Sequence, residues 1–236
     1  MVDIHCHILY GVDDGAASAD ISKQMLSDAA EQGITDLIVT PHYRQGMFAY
    51  DRIAVNAAFD SLYDAAKERG VRIYPGCEYH VDDEMVGNLR SGRCPTLACG
   101  DYVLAEFGHA VTFIQIRNSL DTLLLAGYIP VIAHAERCET FAKDVSLLQE
   151  CKNMGAKIQI NADSILGRDG SGVKKTARQI LKQNLADIVA SDCHNMDSRK
   201  NHMEQCRDLV AKEYGWDRAW ELFTTNPLMI VASSHL

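Results

Sequence analysis

Histidines and carboxylates recur along this 236-residue chain, most of them next to an apolar, β-branched segment. The first segment ends in His5-Cys6-His7. Because side chains alternate across a strand, the two histidines share one face and Cys6 points to the other. The complete set of candidate metal ligands is His5, His7, Asp14, His42, Glu78, Glu106, His134, Asp192 and His194.

These ligand types indicate a catalytic metal centre. Imidazoles mixed with carboxylates, without thiolates, suit Mn, Fe or Zn better than a structural zinc knot. Nine ligands exceed the needs of one ion, and Glu78 is a candidate bridge. The set therefore predicts two or three divalent ions, an arrangement that activates water and clamps a transferring phosphoryl group.

Two arginines follow the same segments as the candidate ligands. Arg137 lies three residues after His134, and Arg199 lies five residues after His194. A planar guanidinium makes bidentate contacts with phosphate oxygens, so we expect both arginines to bind a phosphorylated substrate and to act in catalysis. The alternative is that they are solvated or paired with nearby acids such as Glu136.

Seven short apolar segments are predicted as strands that position these residues. They are Val2–His7, Ile34–Thr40, Val71–Glu78, Tyr102–Phe107, Ile129–His134, Lys157–Ala162 and Asp187–Asp192. Amphipathic stretches between them, such as 18–32 and 52–69, predict helices, and 79–100 is predicted as the one long irregular connection. This alternation is typical of an α/β fold with a parallel sheet. Active sites of βα barrels lie at the carboxyl ends of the strands, where six of these seven predicted strands place a ligand.

Composition excludes several classes of protein. The formal net charge is -9 and there is no basic run, which argues against nucleic acid and anionic membranes as partners. We find no leader at the N-terminus and no apolar run long enough for membrane insertion, so we expect a cytoplasmic protein. The eight cysteines are scattered and are predicted to be reduced. No linker or repeat is visible, and residues 1–236 are predicted to form a single domain.

The ordered motifs resemble the polymerase and histidinol phosphatase (PHP) superfamily, and within it the CpsB-type capsule-biosynthesis tyrosine-protein phosphatases. The motifs are His5-Cys6-His7-Ile8-Leu9, Val12-Asp13-Asp14-Gly15, Thr40-Pro41-His42, Pro75-Gly76-Cys77-Glu78, Ala105-Glu106-Phe107, Ala133-His134-Ala135-Glu136-Arg137 and Ala190-Ser191-Asp192-Cys193-His194-Asn195. They run in order over most of the chain. Two positions depart from the pattern: Ala135 replaces a usual proline, and Tyr79-His80 stands where relatives often carry an arginine.

The resemblance implies a distorted seven-stranded TIM-like barrel with a trinuclear site, most often manganese-dependent, with iron, zinc or magnesium as alternatives. It implies one metal at His5, His7, Glu78 and Asp192, a second at Glu78, Glu106 and His134, and a third at Asp14, His42 and His194. Arg137 and Arg199 match the family's substrate-binding arginines. The implied substrate is phosphotyrosine on the tyrosine-rich tail of a bacterial tyrosine kinase that controls capsular or exopolysaccharide synthesis.

Several alternatives remain open at this point. The substrate could be a small phosphomonoester such as histidinol phosphate, or the protein could be a noncatalytic regulator that binds a kinase. An amidohydrolase also begins with a histidine pair, and Cys193 to Arg199 has the C-x5-R spacing of cysteine-dependent phosphatases. His80 and His109 are candidate proton donors to the leaving group. The oligomeric state is not predicted.

Overall fold

Parallel strands form the centre of the molecule. A computed structural model describes residues 1–235, and within that range nine strands lie in two sheets. The strands are β1 (Val2–Cys6), β2 (Asp36–Val39), β3 (His42–Tyr43), β4 (Arg72–Pro75), β5 (Glu78–His80), β6 (Tyr102–Glu106), β7 (Ile129–Ile132), β8 (Lys157–Asn161) and β9 (Ile188–Ala190). One sheet has the order β1-β2-β4 and the other β3-β5-β6-β7-β8-β9, and all neighbouring strands pair in parallel. The predicted α/β class with a parallel sheet is confirmed.

Helices make most of the crossovers that parallel pairing requires. They are α1 (Ala19–Glu31), α2 (Arg52–Glu68), α3 (Met85–Arg90), α4 (Phe113–Leu125), α5 (Glu139–Lys143), α6 (Leu147–Met154), α7 (Ala162–Leu166), α8 (Ser171–Lys182), α9 (Met203–Tyr214), α10 (Trp216–Trp220) and α11 (Asn226–Ala232). The two helices predicted at 18–32 and 52–69 are confirmed as α1 and α2. Of the helices within residues 1–235, none is long and apolar enough to cross a membrane.

Two of the seven predicted strand segments are interrupted or extended at a proline. The segment predicted at 34–40 forms β2, and the chain resumes pairing after Pro41 as β3. The single strand predicted over Val71–Glu78 is wrong, because β4 ends at Pro75 and β5 begins at Glu78. Proline has no N–H to donate to a ladder, so regular pairing stops at both places.

The backbone of Gly76, between β4 and β5, passes close to β2. A Cβ atom on Gly76 would lie 2.7 Å from Cγ2 of Ile38, so only glycine allows the two backbones to pass at this distance. The stretch 79–100 is also more regular than predicted, because β5 extends to His80 and α3 lies within it. After this break the chain enters the second sheet, where β5 begins at Glu78.

The sheets curl until the first strand meets the segment that follows the last. The backbone N–H of His7 donates to the carbonyl of Cys193, and the N–H of Asp192 donates to the carbonyl of His5, both at 2.9 Å. Residues at the two ends of the fold therefore share one site.

Apolar side chains fix the curled sheet on both faces. The smaller of two buried clusters joins Ile4, Ile38, Leu104 and Val131 of four strands to Ile230 of α11. The larger cluster fills the space between the strands and the surrounding helices. Close packing of this kind holds the polar side chains at the strand ends in fixed positions.

Candidate metal centre

Four buried side chains surround one point where β1 ends, β5 begins and β9 has just ended. The Nε2 atom of His5 lies 3.2 Å from Nε2 of His7, 3.2 Å from Oε2 of Glu78 and 3.4 Å from Oδ1 of Asp192. The Nε2 atom of His7 lies 3.2 and 3.5 Å from the same two oxygens. Ligands at about 2.0–2.1 Å from a tetrahedral ion are about 3.3–3.4 Å apart. The four atoms are therefore spaced as the ligands of one metal ion.

Glu78 is the hub of the cluster. Its Oε1 accepts a hydrogen bond from Nε2 of His134 at 2.8 Å. Its Oε2 lies 2.9 Å from Nδ1 of His42 and 3.2 Å from the His5 and His7 nitrogens, yet this buried oxygen makes no hydrogen bond. Burial disfavours the charged carboxylate, but attraction to the His5 and His42 imidazoles outweighs it and lowers the pKa of Glu78 well below its usual value. A charged oxygen with imidazole nitrogens around it and no donor fits a bridging ligand.

A second group of candidate ligands lies beside the first and shares His7 with it. Oδ1 of Asp14 is 3.5 Å from Nε2 of His42 and 3.5 Å from Nε2 of His194, and the His194 ring stacks on His7 with centroids 3.8 Å apart. Nδ1 of His194 donates to the carbonyl of Asp192, so its buried Nε2, which has no hydrogen-bond partner, carries the lone pair. Burial and the nearby His7 lower the pKa of His194 to about 4, which favours the neutral, metal-binding form.

A third group contains Glu78, Glu106 and His42. The resemblance implied His134 beside the two glutamates. Within residues 1–235 the histidine grouped with both glutamates is His42, and the His134 ring hydrogen-bonds to Glu78. Oε2 of Glu106 also accepts from Nδ1 of His80 at 2.9 Å. Burial lowers the pKa of His134, but the bond to Glu78 prevails and raises it to about 9. His42 thus stands between two groups, with Nδ1 facing one and Nε2 the other.

Both predicted arginines reach this centre. Arg137 donates from Nη1 to Oδ2 of Asp192 at 2.9 Å and from Nη2 to Asp169 at 3.1 Å. Arg199 donates from Nη2 to Oδ1 of Asp192 at 3.2 Å and lies 3.5 Å from Asp14. Burial disfavours charge on Arg137, but Asp192 and Glu136 outweigh this and raise its pKa, so the guanidinium stays charged. The pairing with acids that the sequence left open is present, and two of the partners, Asp192 and Asp14, are candidate ligands of the centre.

Both arginines and six of the nine candidate ligands line one cavity of about 330 Å³. The six are Asp14, His42, Glu78, Glu106, His134 and Asp192. Its walls include Arg44, Phe48, His80, Phe107 and His109. Phe48 stacks against His42 with ring centroids 5.2 Å apart. The cavity therefore has cationic and aromatic walls beside atoms that could bind metal ions.

Sequence reasoning missed three residues that contact the ligands. Oδ2 of Asp13 accepts from Nδ1 of His7 at 2.8 Å and from the backbone N–H of His42 at 3.0 Å. Gln159 and Asn161, both fully buried on β8, contact His5 and Asp192. Within β8, Gln159 and Asn161 alternate with Ile158 and Ile160, and this alternation was a signal that pointed to them.

Cys193 lies three residues after the end of β9 and does not line the cavity. Its Sγ is 3.2 Å from Sγ of Cys6, and both thiols are buried. The C-x5-R spacing does not place this sulfur facing the metal-ligating atoms, because Asp192 and His194 point there and the cysteine between them points away.

Comparison with known proteins gives one consistent family. Residues 1–232 match the family model described as capsular polysaccharide synthesis, CpsB/CapC. The chain is 36% identical to the tyrosine-protein phosphatase CpsB of Streptococcus pneumoniae, covering 98% of both chains. It is 33% identical to the tyrosine-protein phosphatase YwqE of Bacillus subtilis, covering 98% of this chain and 91% of that one.

A solved structure agrees with these matches. It comes from work on YwqE of Bacillus subtilis and CpsB of Streptococcus pneumoniae, described as unique metal-dependent tyrosine phosphatases. The TM-score is 0.89 at 32% identity, and the match covers 100% of this chain and 96% of the other.

Proposed function

Because the chain belongs to the CpsB/CapC family of capsular polysaccharide synthesis proteins, we propose that it is a metal-dependent protein-tyrosine phosphatase. One observation carries the proposal: nine imidazole and carboxylate side chains cluster around a buried Glu78 oxygen that has no hydrogen-bond donor, and six of them line one cavity together with the two arginines. Relatives named as tyrosine-protein phosphatases support the same reaction.

The described side chains offer places for three divalent ions, and manganese is the ion we propose. His5, His7, Glu78 and Asp192 would hold one. Glu78 and Glu106 would hold another, together with His42 or His134, and the last would lie among Asp14, His42 and His194. When bound, divalent ions supply Lewis-acid activation of water and neutralise the charge of a phosphoryl group.

The arginines bind and orient the substrate in this proposal. The Arg137 and Arg199 guanidinium groups point at Asp192 from the cavity wall, so a phosphoryl group lying over the ligands meets both. Bidentate contacts to nonbridging oxygens fix the phosphorus in line for attack. A phenolic leaving group has a pKa of about 10, so it departs with less need of a proton donor than an alkyl oxygen. His80 and His109 on the wall are the groups placed to supply one.

The remaining parts of the proposal concern architecture and context. We infer that β2 with β3, and β4 with β5, each count as one interrupted strand, so that seven strands form a distorted barrel. The hydrogen bonds between the His5 and Asp192 segments support this inference. We infer a single domain over residues 1–236, which the family match over 1–232 supports. The proposed substrate is the phosphotyrosine tail of a bacterial tyrosine kinase in the cytoplasm, and nucleic acid is not a proposed partner.

A substrate panel tests this function directly. The purified protein is stripped with a chelator, dialysed, and assayed with and without added Mn²⁺ on a phosphotyrosine peptide, a phosphoserine peptide and histidinol phosphate. We expect no turnover without metal, restoration by Mn²⁺, and a kcat/KM at least tenfold higher on the phosphotyrosine peptide. Full activity in metal-free protein, or a preference for histidinol phosphate, would overturn the proposal.

A further inference from the structure

Strand β8 delivers no ligand, yet it touches the metal centre through two amides. Oε1 of Gln159 lies 3.2 Å from Nδ1 of His5 and accepts from the backbone N–H of His134 at 2.8 Å. Nε2 of Gln159 donates to Oδ1 of Asn161 at 2.7 Å, and Nδ2 of Asn161 donates to Oδ2 of Asp192 at 2.8 Å. A continuous chain of hydrogen bonds thus joins three ligand-bearing segments.

The direction of every bond in this chain follows from one backbone group. The N–H of His134 can only donate, so the Gln159 atom that faces it is the oxygen. The same oxygen faces Nδ1 of His5, which must therefore carry the hydrogen. The lone pair of His5 is left on Nε2, the atom that points at His7, Glu78 and Asp192.

The other end of the chain acts on Asp192 in the same way. With its oxygen turned to Gln159, the Asn161 amide presents its NH₂ to Oδ2 of Asp192, which also accepts from Arg137 at 2.9 Å. That oxygen is occupied by two donors. Oδ1, which among the described residues accepts from Arg199 alone at 3.2 Å, is the atom that faces the His5 and His7 nitrogens.

Backbone strain at the same residues supports a specific role for these bonds. His134 and Asp192 have φ angles of +30° and +53°, in the left-handed region that non-glycine residues seldom adopt. Such conformations persist where surrounding contacts over-determine them. Gln159 holds the N–H of His134, and Asn161 holds the side chain of Asp192.

We propose that Gln159 and Asn161 are positioning residues that select which atoms of His5 and Asp192 bind metal. The inference rests on the metal centre of the proposed function. It goes further because it makes metal affinity depend on two residues of β8, a strand that carries no candidate ligand.

The test compares three variants by Co²⁺ affinity and by the visible absorption spectrum of the Co²⁺-loaded protein. Gln159→Leu keeps the volume but removes the acceptor for His5. Gln159→Glu keeps an acceptor oxygen for His5, removes the donor to Asn161 and adds a negative charge beside the ligands, while Nδ2 of Asn161 still has Oδ2 of Asp192 as its acceptor. Thr176→Val removes a buried hydroxyl from helix α8, away from the cavity, and controls for the general cost of losing a buried polar group.

We expect Gln159→Leu to weaken Co²⁺ binding about 10–100-fold and to change the spectrum, as loss of a partner to a ligating histidine usually does. Gln159→Glu should restore the parent's spectrum and bind Co²⁺ at least as tightly as the parent. Thr176→Val should match the parent in both measurements.

Three results separate the possible failures. A folded Gln159→Leu protein with the parent's affinity and spectrum overturns the inference, and so does an equal loss in the leucine and glutamate variants. If Gln159→Leu does not fold, the inference is overturned when Gln159→Glu fails to keep the parent's affinity and spectrum. A parent protein that binds no Co²⁺ and no Mn²⁺ defeats the proposed function instead.

Discussion

Arg137 and Arg199 donate hydrogen bonds to different oxygens of the same carboxylate: Arg137 donates to Oδ2 of Asp192 at 2.9 Å, and Arg199 donates to Oδ1 at 3.2 Å. The two guanidinium groups, 62 residues apart in the chain, are thereby held side by side at the cavity wall. Because Asp192 also faces the His5 and His7 nitrogens, the two arginines that we propose to bind phosphate and the proposed metal centre share one carboxylate.

The first prediction concerns these arginines. Arg199→Lys keeps the charge but loses the planar pair of donors, so it should lower kcat/KM on a phosphotyrosine peptide about 10–100-fold, the effect of one or two lost charge-assisted hydrogen bonds. Metal content should not change. Arg168→Lys is the control, because Arg168 is a more exposed arginine that pairs with Asp163 outside the cavity. Equal kcat/KM in Arg199→Lys and the parent would remove this arginine from substrate binding.

A second prediction follows from the Asp13 contact. Asp13→Ala removes the acceptor from Nδ1 of His7 and from the N–H of His42. We expect metal affinity to fall about 10–100-fold, because the ring of a ligating histidine is then free to turn and to change tautomer. Titration with Mn²⁺ measures the change. Asp60→Ala, at an exposed position on α2, should leave affinity unaltered, and the idea fails if both variants behave alike.

The third prediction separates metal chemistry from thiol chemistry. Cys193→Ala should keep kcat/KM within about twofold, while removal of a buried sulfur that packs on Cys6 should cost about 1–2 kcal/mol of unfolding free energy. Cys206→Ala, at an equally buried site on α9, should show a similar stability loss. Abolished turnover in Cys193→Ala, with its metals still bound, would revive the C-x5-R mechanism.

A fourth prediction concerns pH and stability. Asp36 is buried, which by itself disfavours its charge, but bonds from Arg72, Thr35 and Tyr74 prevail and lower its pKa. A carboxylate whose folded pKa lies below its unfolded value of about 3.9 stabilises the fold above that pH, and its contribution fades as the pH falls through the folded pKa.

Asp36→Asn should therefore cost about 1–2 kcal/mol at pH 7, a figure that allows for the exposure of Arg72, and progressively less below pH 4. Urea unfolding at pH 7, 5 and 3 measures the difference from the parent. Asp64→Asn, on the exposed face of α2, should be neutral throughout. A difference that grows toward acid would contradict the assigned sign.

The sequence predicted the candidate site best where the position of a side chain depends only on its own strand. His5 and His7 were expected on one face with Cys6 on the other, and the structure has this arrangement, because side-chain alternation is a local property. All eleven predicted site residues lie around one centre. Their individual roles stay predictions until they are measured.

Other features depend on tertiary contacts that local patterns do not encode. The break at Pro75 was read as a continuous strand, because the close passage of Gly76 over Ile38 is visible only in space. His42 was assigned to one metal, yet its two nitrogens face two groups, which follows from ring orientation. Asp13 was absent from the predicted site, because the loop conformation that turns its carboxylate back onto His7 is not a periodic pattern.

The meeting of the first strand with the segment after the last also sets the order in which this site is assembled. Cys6 and Cys193 touch although they are 187 residues apart in sequence, and the ligands on either side of each are brought together by the same contacts. During synthesis, the early histidines His5 and His7 leave the ribosome long before Asp192 exists. Contacts this distant in sequence form late in folding. The complete set of four candidate ligands can therefore form only when nearly the whole chain has been made.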